Sequence, residues 1–333
     1  MNQTQPGSVS AVVVAFNGGP ALQECVASLL AQTIPIEVIV VDNASTDGSV
    51  GELEREYGSS VRIERRERNG GYAAGANTGW RSATSDLVAI LNQDLKLMPD
   101  CLERLRDVLV GSETEALVTP KLVLKSDPTR VNAIGNEVNL SGIAWCSGLE
   151  TQADDWHGVR HVTAISGAAF MARRSFLAQL DGLEEAYFMY MEDVDLSLRA
   201  RLAGAICIAA CDAVAIHDWR STLSPRKFGL LERNRMAFWR RLWAADMPRM
   251  LLPLAQAETM AWVYALLQGP PYIRVKWQAA RAPLVLPTPS GSIEAIRRIL
   301  STRHPYEQLF PRRRSIQSLG RRIDQLLTRL VSP

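Results

Sequence analysis

The first third of the chain alternates short apolar runs with amphipathic stretches, and this pattern constrains the fold more than any other feature. Apolar runs predict four buried strands, at 9–16, 38–41, 61–63 and 87–91. Apolar residues at helical spacing predict helices between them, at 20–30, 49–57 and 75–83. Strands that alternate with helices indicate crossover connections, so we predict an α/β fold with a mixed, mostly parallel sheet flanked by helices.

The rest of the chain divides into two regions. The middle of the chain continues the sheet less regularly, with a glycine-rich section at 135–148, a helix at 191–203, a strand at 205–210 and an end of the sheet near His217. The last third is helical and rich in Arg and Trp, with breaks at 269–271 and 283–289. The predicted domains are a first domain at 1–224, with a ligand-binding part at 9–95 and a second part at 96–224, and a C-terminal helical extension at 225–333.

The net charge of +2 conceals a strong asymmetry between these regions. Residues 1–220 carry 18 basic and 29 acidic groups, a balance of −11, whereas residues 221–333 carry 19 basic and 6 acidic groups, a balance of +13. A basic region after an acidic body is a candidate for binding an anionic surface. No nucleic-acid-binding signature accompanies this charge, so we predict no nucleic-acid partner.

The C-terminal region combines aromatic and basic side chains. Its predicted helices carry Trp239, Trp243, Trp262 and Trp277 together with basic residues such as Arg235, Arg274 and Lys276. Such a combination suits a membrane interface, and we predict that this region binds an anionic membrane surface. The alternative is a helical subdomain that packs on the catalytic core and has arginine on its solvated face.

Cysteine usage and the apolar stretches bear on the compartment. The five cysteines form no CxxC pair, which fits a reducing environment, and the N-terminus lacks the pattern of a signal peptide. The longest apolar stretch, 250–267, is interrupted by Pro253, Gln256 and Glu258, so we do not expect it to span a membrane. We predict a cytoplasmic protein, held peripherally on the inner face of the cell membrane.

Polar residues follow the second predicted strand, at the edge of the sheet where α/β proteins bind ligands. Asp42 ends this strand, and 44–48 forms the turn after it. A carboxylate at this point can accept a hydrogen bond from the ring N–H of uracil, thymine or guanine. The alternative is that Asp42 caps the turn.

Residues 69–77 form a glycine-rich loop that opens a helix. Such a loop lets backbone N–H groups approach a phosphate. The G-x-G-x-x-G spacing of dinucleotide-binding proteins is missing after the first strand, which argues against a dehydrogenase.

Asn92, Gln93 and Asp94 follow the fourth predicted strand. Mg²⁺ and Mn²⁺ favour carboxylate and phosphate oxygens, so Asp94 is a candidate ligand for a cation that also binds a diphosphate. The alternative is an ordinary polar loop. His217 is a second candidate, although a lone histidine is more often not a metal ligand.

Glu192, Asp193 and Asp195 place three carboxylates within four residues. Their mutual repulsion raises at least one pKa, which suits a general base near neutral pH. On a helix, Glu192 and Asp195 share a face and Asp193 points elsewhere. The alternative is an acidic first turn that complements the helix dipole.

In this order, the motifs resemble the family 2 glycosyltransferases of the GT-A fold, particularly their rhamnosyltransferase-like branch. The resemblance covers about residues 9–240, and it departs from the family pattern at Asn92, where Asp is expected, and at Tyr72, where Phe is commoner. The segment at 182–199 is the most specific match. The other matching segments are 12–17, 40–48, 69–79 and 92–94.

The resemblance implies a role for each candidate residue. Asp193 is the general base, Glu192 and Asp195 support the acceptor side, and Asp94 and His217 bind Mg²⁺ or Mn²⁺. The implied donor-binding residues are Phe16, Asn17, Asp42, Asn43, Asp47, Asn69, Gly75, Asn77, Asn92 and Gln93.

The resemblance further implies an inverting glycosyltransferase of cell-surface polysaccharide biosynthesis. It would move a sugar, with rhamnose one candidate, from a dTDP- or UDP-sugar to a glycan or polyprenyl-diphosphate-linked acceptor. The main alternative is a noncatalytic nucleotide-sugar-binding scaffold protein, against which Asp193 argues. A nucleotidyltransferase would need a basic pyrophosphate-binding loop early in the chain, and the loop at 17–19 has no Lys or Arg.

Overall fold

The computed structural model describes residues 7–219, 222–243, 247–281, 284, 286–287, 293–310 and 313–331. The chain forms two compact units. The first comprises Met1–Asn136 and Cys146–Arg220, and the second comprises Glu137–Trp145 and Ser221–Pro333. The domain boundary at residue 224 stays a prediction, and the short segment Glu137–Trp145 belongs to the second unit.

Strands occur up to residue 217 and helices throughout the chain. The strands are β1 (Val9–Ala15), β2 (Ile36–Asp42), β3 (Arg62–Arg65), β4 (Leu87–Asn92), β5 (Leu95–Leu97), β6 (Ala116–Leu124), β7 (Asp127–Ala133), β8 (Asn136–Val138), β9 (Ala144–Cys146), β10 (Val159–His161), β11 (Ala169–Arg173) and β12 (Ile206–His217). The helices of the first unit are α1 (Gly19–Leu30), α2 (Ser49–Tyr57), α3 (Gly71–Ser82), α4 (Cys101–Val110), α5 (Arg174–Gln179) and α6 (Glu192–Leu202). Those of the second unit are α7 (Pro225–Trp243), α8 (Met247–Gln268), α9 (Pro270–Arg281), α10 (Ile293–Arg297), α11 (Tyr306–Leu309) and α12 (Arg314–Val331).

The first unit is built on one mixed sheet with the order β10-β12-β6-β11-β4-β1-β2-β3. β1, β2, β3 and β4 are parallel, as their crossover helices require, and β11 is antiparallel to both β4 and β6. Register pairs Ala15 with Asp42 and Val14 with Asn92. The carboxyl ends of β1, β2 and β4 therefore meet at one edge of the sheet.

Helices cover both faces of this sheet. Alternate side chains of β1 point to opposite faces, because successive residues of a strand do so. Val13 joins a buried cluster that includes Leu22 of α1 and Leu105 of α4, whereas Val12 joins one that includes Trp80 of α3 and Leu196 of α6. The strands β1, β2 and β4 are thus largely buried on both faces, whereas the edge strand β3 is only partly buried.

The structure differs from the sequence prediction in several elements. α3 begins at Gly71, a turn earlier than predicted, and β12 continues as far as His217 instead of ending at residue 210. The short strands β5, β7, β8, β9 and β10 were not predicted. β7 carries exposed polar residues over its first half and pairs with the buried strand β6, so no apolar alternation marks it. Most of the predicted break at 283–289 lies outside the described residues.

The second unit contains a buried ionic network that joins three helices. Glu232 and Arg235 of α7, Glu258 of α8 and Lys276 of α9 pair with one another. The Lys276 Nζ lies 2.5 Å from Glu232 and 2.9 Å from Glu258. Arg235 and Lys276 therefore belong to the interior of the unit and not to the basic surface predicted from composition.

Two of the tryptophans predicted for that surface are also buried. Trp239 and Trp243 of α7 are 2% and 1% exposed, whereas Trp277 of α9 is half exposed. Within the described residues, Met250–Gln268 of α8 is long and apolar enough to cross a bilayer by length and composition alone, and a third of it is buried inside the unit. Of the residues named in that prediction, Arg274 and Trp277 of α9 are thus exposed.

Candidate active site

The loops after β1, β2 and β4 form the candidate site. Gln93, which follows β4, holds the backbone of Phe16, which follows β1, through two hydrogen bonds. The Phe16 N–H donates to Gln93 Oε1 at 2.8 Å, and Gln93 Nε2 donates to the Phe16 carbonyl at 3.0 Å. The Phe16 ring is exposed at the rim of the site.

The loops after β1 and β2 are joined in the same way. The Asn17 N–H donates to the Ser45 hydroxyl at 3.1 Å, and Asn17 Oδ1 accepts from the Thr46 N–H at 2.8 Å. Asp47 Oδ2 accepts from the Gly19 N–H at 2.9 Å, at the first turn of α1. Asn17 and Asp47 therefore hold the two loops together, so that the loops form one side of the candidate site.

Asp42 lies at the end of β2 and is largely buried. Its Oδ1 accepts from the Ser45 N–H at 2.8 Å, so the turn-capping alternative is realised at this oxygen. Asn43, the next residue, joins the glycine-rich loop to β2. Its Nδ2 donates to the Gly71 carbonyl at 2.8 Å, and its Oδ1 accepts from the Gly70 N–H at 3.1 Å.

The glycines at the start of α3 permit close packing with their neighbours. Gly71 has φ +87°, and a Cβ there would overlap the Phe188 carbonyl. A Cβ on Gly75 would lie 2.6 Å from Val14 Cγ1 of β1. Asn69 Oδ1 accepts from the Gly71 N–H at 2.8 Å and so caps the loop. These contacts give the glycines a packing role, and donor contacts of Asn69 and Gly75 stay a prediction.

Asn77 of α3 is buried and makes its hydrogen bonds within the protein. Its Nδ2 donates to the Leu183 carbonyl and to Glu185, and its Oδ1 accepts from Trp80 Nε1 and the Leu183 N–H. Asn77 thus attaches the segment before α6, through Leu183 and Glu185, to α3.

Asp94 and His217 converge at the sheet edge, as the resemblance implies. His217 Nε2 lies 3.4 Å from Asp94 Oδ1. The other ring nitrogen, Nδ1, lies 2.8 Å from Asn132 Oδ1, which accepts from it when Nδ1 carries the proton. Nε2 then presents its lone pair towards Asp94, an arrangement common for metal-binding histidines.

The surroundings of Asp94 fit a divalent cation. Its Oδ1 is buried without a hydrogen-bond partner, and it faces the lone pair of His217. Among the described residues, no group of three or more His, Cys, Asp or Glu side chains could hold a metal. Two protein ligands suffice for Mg²⁺ or Mn²⁺ when phosphates and water complete the shell.

A cavity of about 190 Å³ opens beside Asp94. Its other lining residues come from α1, β5, β12 and the β6–β7 hairpin, and they include Glu24, Lys96 and Lys125. Lys125 Nζ pairs with Glu24 at 2.9 Å. The cavity gives Asp94 access from outside the protein.

The acidic cluster lies in the first turn of α6 and divides into different environments. Asp193 is partly exposed, whereas Glu192 and Asp195 are buried. Asp193 Oδ2 accepts from the Gly167 N–H at 2.8 Å and from Asn136 Nδ2 at 3.0 Å, and its Oδ1 accepts from the Val194 N–H. Burial raises the pKa of Asp193, against the effect of these hydrogen bonds.

Glu192 and Asp195 differ in their partners. Glu192 Oε2 is buried without a hydrogen-bond partner, and burial followed by repulsion from Asp193 raises its pKa to about 8. Asp195 accepts from the Tyr187 hydroxyl at 3.2 Å and from Arg199 Nε at 2.7 Å. Asp195 therefore holds α6 in place, and Glu192 is the uncompensated member of the cluster.

Tyr72 connects the two halves of the site. Its hydroxyl donates to the Gly167 carbonyl at 2.5 Å, next to the N–H that binds Asp193. Burial raises the pKa of Tyr72, and repulsion from Glu192, Asp193 and Asp94 raises it further. The buried hydroxyl has a specific partner, which accounts for tyrosine at this position.

The backbone before α6 is strained. Phe188, Tyr190 and Met191 have φ of 66°, 71° and 74°, in the left-handed region that residues with a side chain rarely adopt. Such strain clusters at functional sites because the surrounding structure enforces it. The packing of Gly71 against Phe188 is part of that enforcement.

Four residues with supporting roles were not predicted. Asn132 orients His217, Asn136 and Gly167 bind Asp193, and Tyr72 binds Gly167. Tyr72 lies in the glycine-rich loop and Asn136 in the glycine-rich section at 135–148, but neither was given a role, and Ser166-Gly167 interrupts an otherwise apolar segment. Asn132 lies outside these segments.

A mixed sheet with crossover helices, a carboxylate and an imidazole at its edge, and an acidic helix start beside them define a GT-A glycosyltransferase fold. Solved structures agree with this class. The chain is similar to TarS 1–349 of S. aureus in complex with UDP-GlcNAc, with a TM-score of 0.54 and 16% identity over 97% of this chain and 90% of that one. It is also similar to GalNAc-T7 solved with UDP, GalNAc and Mn²⁺, with a TM-score of 0.56 and 16% identity over 73% of this chain and about half, 51%, of that one.

The family follows from the sequence comparison. Residues 10–179, just over half of the chain, match the family model described as glycosyl transferase family 2, and the chain belongs to this family. A relative from Mycobacterium tuberculosis, named N-acetylglucosaminyl-diphospho-decaprenol L-rhamnosyltransferase, is 29% identical over 62% of this chain and 74% of its own length. The hexosyltransferase Agl10 of low-salt glycan biosynthesis in Haloferax volcanii is 25% identical over 66% of this chain and 69% of its own length.

Proposed function

We propose that this glycosyltransferase inverts the anomeric configuration and uses Asp193 as its general base. The environment of Asp193 supports the proposal best. Asp193 is the partly exposed member of the acidic cluster, and three donors hold its carboxylate in one orientation. Glu192 is buried and Asp195 is committed to Arg199, so neither is as well placed to meet a substrate.

In the proposed reaction, Asp193 takes the proton of an acceptor hydroxyl as that oxygen attacks the anomeric carbon of the donor sugar. The bond to the leaving diphosphate breaks on the opposite face, so configuration inverts in a single displacement. A raised pKa makes a carboxylate a stronger base, which favours this proton transfer near neutral pH. The hydrogen bonds to Gly167 and Asn136 fix the direction from which the acceptor must approach.

The donor is proposed to bind across the ends of β1, β2 and β4. A base N–H would bind the second oxygen of Asp42, since Oδ1 serves the turn. Asp94 and His217 would hold Mg²⁺ or Mn²⁺, and such a cation, when bound, offsets the negative charge that grows on the leaving diphosphate. An imidazole ligand favours Mn²⁺ over Mg²⁺.

The acceptor is proposed to be a glycan or a polyprenyl-diphosphate-linked sugar, and the donor a dTDP- or UDP-sugar, with rhamnose as one candidate sugar. The name of the mycobacterial relative supports the lipid-linked acceptor and rhamnose as the sugar. A lipid-linked acceptor would place the enzyme in cell-surface polysaccharide biosynthesis. Its proposed location is then the cytoplasmic face of the cell membrane.

The test is release of nucleoside diphosphate from UDP-, dTDP- and GDP-sugars in the presence of a membrane lipid extract and Mn²⁺. The variant Asp193→Asn keeps the shape of the side chain and removes the base. We expect turnover to fall by about 10²- to 10⁴-fold, whereas calorimetric binding of the donor nucleotide is unchanged. Asp181→Asn, a substitution of an exposed carboxylate in the same unit, is the matched control and should retain activity.

Each other outcome has a defined meaning. Turnover retained in Asp193→Asn rejects Asp193 as the base. Donor binding without turnover, across all donors and acceptors, favours the noncatalytic scaffold protein. Product with retained configuration, detected by NMR of the new linkage, rejects the single displacement.

A further inference from the structure

The outer side of α8 carries an apolar stripe. Leu251, Leu252 and Leu266 are 52%, 49% and 63% exposed. The apolar positions 251, 255, 262 and 266 follow the helical spacing of one face, with Thr259 as the polar residue among them, so the stripe extends over about 22 Å at 1.5 Å per residue. The opposite face of α8 is buried, with Met250, Ala257 and Ala265 inside the unit.

α9 continues this surface with aromatic and basic groups. Trp277 of α9 is 50% exposed and meets Trp262 of α8 edge to face, with ring centroids 6.3 Å apart. The Arg281 guanidinium lies 4.4 Å from the centroid of Trp277, and Arg274 is exposed one turn earlier. We call the surface formed by Leu251, Leu252, Leu266, Arg274, Trp277 and Arg281 the α8–α9 face.

The charge of the second unit indicates what kind of partner the α8–α9 face binds. Residues 221–333 hold six acidic groups, and the structure describes five of them. All five have basic partners inside the unit. These partners are Arg235 and Lys276 for Glu232 and Glu258, Arg297 and Arg298 for Glu294, Arg321 for Glu307, and His304 for Asp324.

Residues 221–333 carry a net charge of +13, which favours an anionic partner. A symmetric contact between the α8–α9 faces of two copies would bring positive charge to both sides of the interface and would be repelled. An anionic lipid bilayer offers the opposite charge together with an apolar interior, and tryptophan is enriched at bilayer interfaces.

Polar contacts on the inner side of α8 argue that the helix lies along the bilayer and does not cross it. Glu258 pairs with Arg235 and Lys276, and Gln256 donates to the Tyr306 hydroxyl and to Asp324. A spanning orientation would break these contacts. An in-plane orientation keeps them and immerses only the outer stripe.

We propose that the α8–α9 face is a peripheral membrane-binding surface that inserts its leucines and Trp277 into the headgroup region of an anionic bilayer, with Arg274 and Arg281 on the lipid phosphates. This inference concerns the second unit and holds whether or not Asp193 is the catalytic base. It assigns a partner to the outer side of α8 and α9, whose inner side forms the ionic network.

The experiment is flotation of the full chain with vesicles of phosphatidylcholine alone or with about a third phosphatidylglycerol. We expect binding to the anionic vesicles that weakens at high salt, because basic groups near an anionic surface are screened within a Debye length. The triple variant Leu251→Ser, Leu266→Ser, Trp277→Ser should lose at least about tenfold in partitioning. Arg274→Glu with Arg281→Glu should lose the dependence on phosphatidylglycerol.

The matched control removes exposed apolar side chains from the first unit. Val110 and Val159 are 54% and 57% exposed, and Val110→Ser with Val159→Ser should leave vesicle binding unchanged. Circular dichroism checks that all variants are folded. The proposal is overturned if wild type ignores anionic vesicles or if the triple variant binds them as well as wild type. It is also overturned if sedimentation shows self-association that the triple variant abolishes, since the partner would then be a second copy.

Discussion

Glu192 and Asp193 are adjacent in the chain, yet they meet different surroundings. Asp193 accepts hydrogen bonds from Gly167, Asn136 and Val194, whereas Glu192 Oε2 is buried without a partner. Environments that separate the pKa values of neighbouring carboxyl groups commonly separate their roles. Burial and repulsion from Asp193 raise the pKa of Glu192 to about 8, which favours the neutral form of this side chain near pH 7.

The raised pKa of Glu192 predicts that the stability difference between wild type and Glu192→Gln depends on pH. Its pKa is about 8 in the folded protein, against 4.5 for an ordinary glutamate, so the folded state binds more protons than the unfolded chain between these values. Stability then falls as pH rises through this window. Glu192→Gln cannot ionise, and we expect its urea midpoint to match wild type near pH 4.5 and to exceed it increasingly towards pH 8, in protein free of metal and nucleotide.

A matched substitution isolates this effect. Glu113 is exposed in the loop after α4, and Glu113→Gln should follow the wild-type pH profile. Midpoints of Glu192→Gln and wild type that move in parallel from pH 4.5 to 8 would contradict a buried carboxyl with a raised pKa.

At the scale of elements, the ionic network decides how α7, α8 and α9 pack. Burial would raise the pKa of Glu232, but Arg235 and Lys276 outweigh it and lower the pKa to about 2. The network balances two carboxylates with two cations in a buried space. Removal of one partner from such a set leaves a buried charge without compensation.

Lys276→Met tests the network, because Met has a similar length and no charge. We expect a loss of about 3–5 kcal/mol in the free energy of unfolding, measured by urea unfolding followed through tryptophan fluorescence. Arg274→Met, on the exposed side of the same helix, is the control and should change stability by about 0.5 kcal/mol or less. Equal midpoints for Lys276→Met and wild type would mean that the contacts of Lys276 do not stabilise the unit.

The stabilisation by the ionic network also depends on pH and is lost in acid. The pKa of Glu232 in the folded protein lies below the ordinary glutamate value of 4.5, so its stabilisation is fully present above that value and is lost as pH falls towards 2. The stability difference between wild type and Lys276→Met should therefore narrow below pH 4.5.

Residues at the ends of apolar strands could be predicted from the sequence, whereas residues on the irregular strands could not. Asp42 and Asn92 were placed at strand ends from apolar runs, and the parallel register brings them to one edge, whereas His217 was predicted only to lie near the end of the sheet. Asn132 and Asn136 were missed because they lie on β7 and β8, which no local pattern marks, and their partners His217 and Asp193 are 85 and 57 residues away in the chain.

Composition likewise could not separate the two sides of a helix. It assigned Arg235, Trp243 and Lys276 to a basic surface, although all three are buried. Helical periodicity in this region is obscured because charged residues are buried in pairs. The contacts between α7, α8 and α9 are needed to tell which basic residues are exposed on the surface of the second unit.

At the scale of the whole molecule, ligand binding should appear as added stability. A ligand that binds the folded chain and not the unfolded one raises the free energy of unfolding by about 2.7 kcal/mol at 100 times its dissociation constant. A cation with nucleoside diphosphate is the ligand proposed above. We expect Mn²⁺ with UDP or dTDP to raise the melting temperature more than nucleotide alone, and EDTA to remove the additional rise.

His217→Ala identifies the origin of the metal-dependent part. Nε2 of His217 faces the unpartnered Asp94 Oδ1, and Asn132 orients the ring, so loss of the imidazole should abolish the additional rise with Mn²⁺ while nucleotide alone still stabilises. His157, exposed in the same unit, provides the control variant His157→Ala, which should keep the full response. An undiminished Mn²⁺ effect in His217→Ala would place the cation elsewhere. The contact between Asp94 and His217 would then stabilise the fold and would not bind the metal.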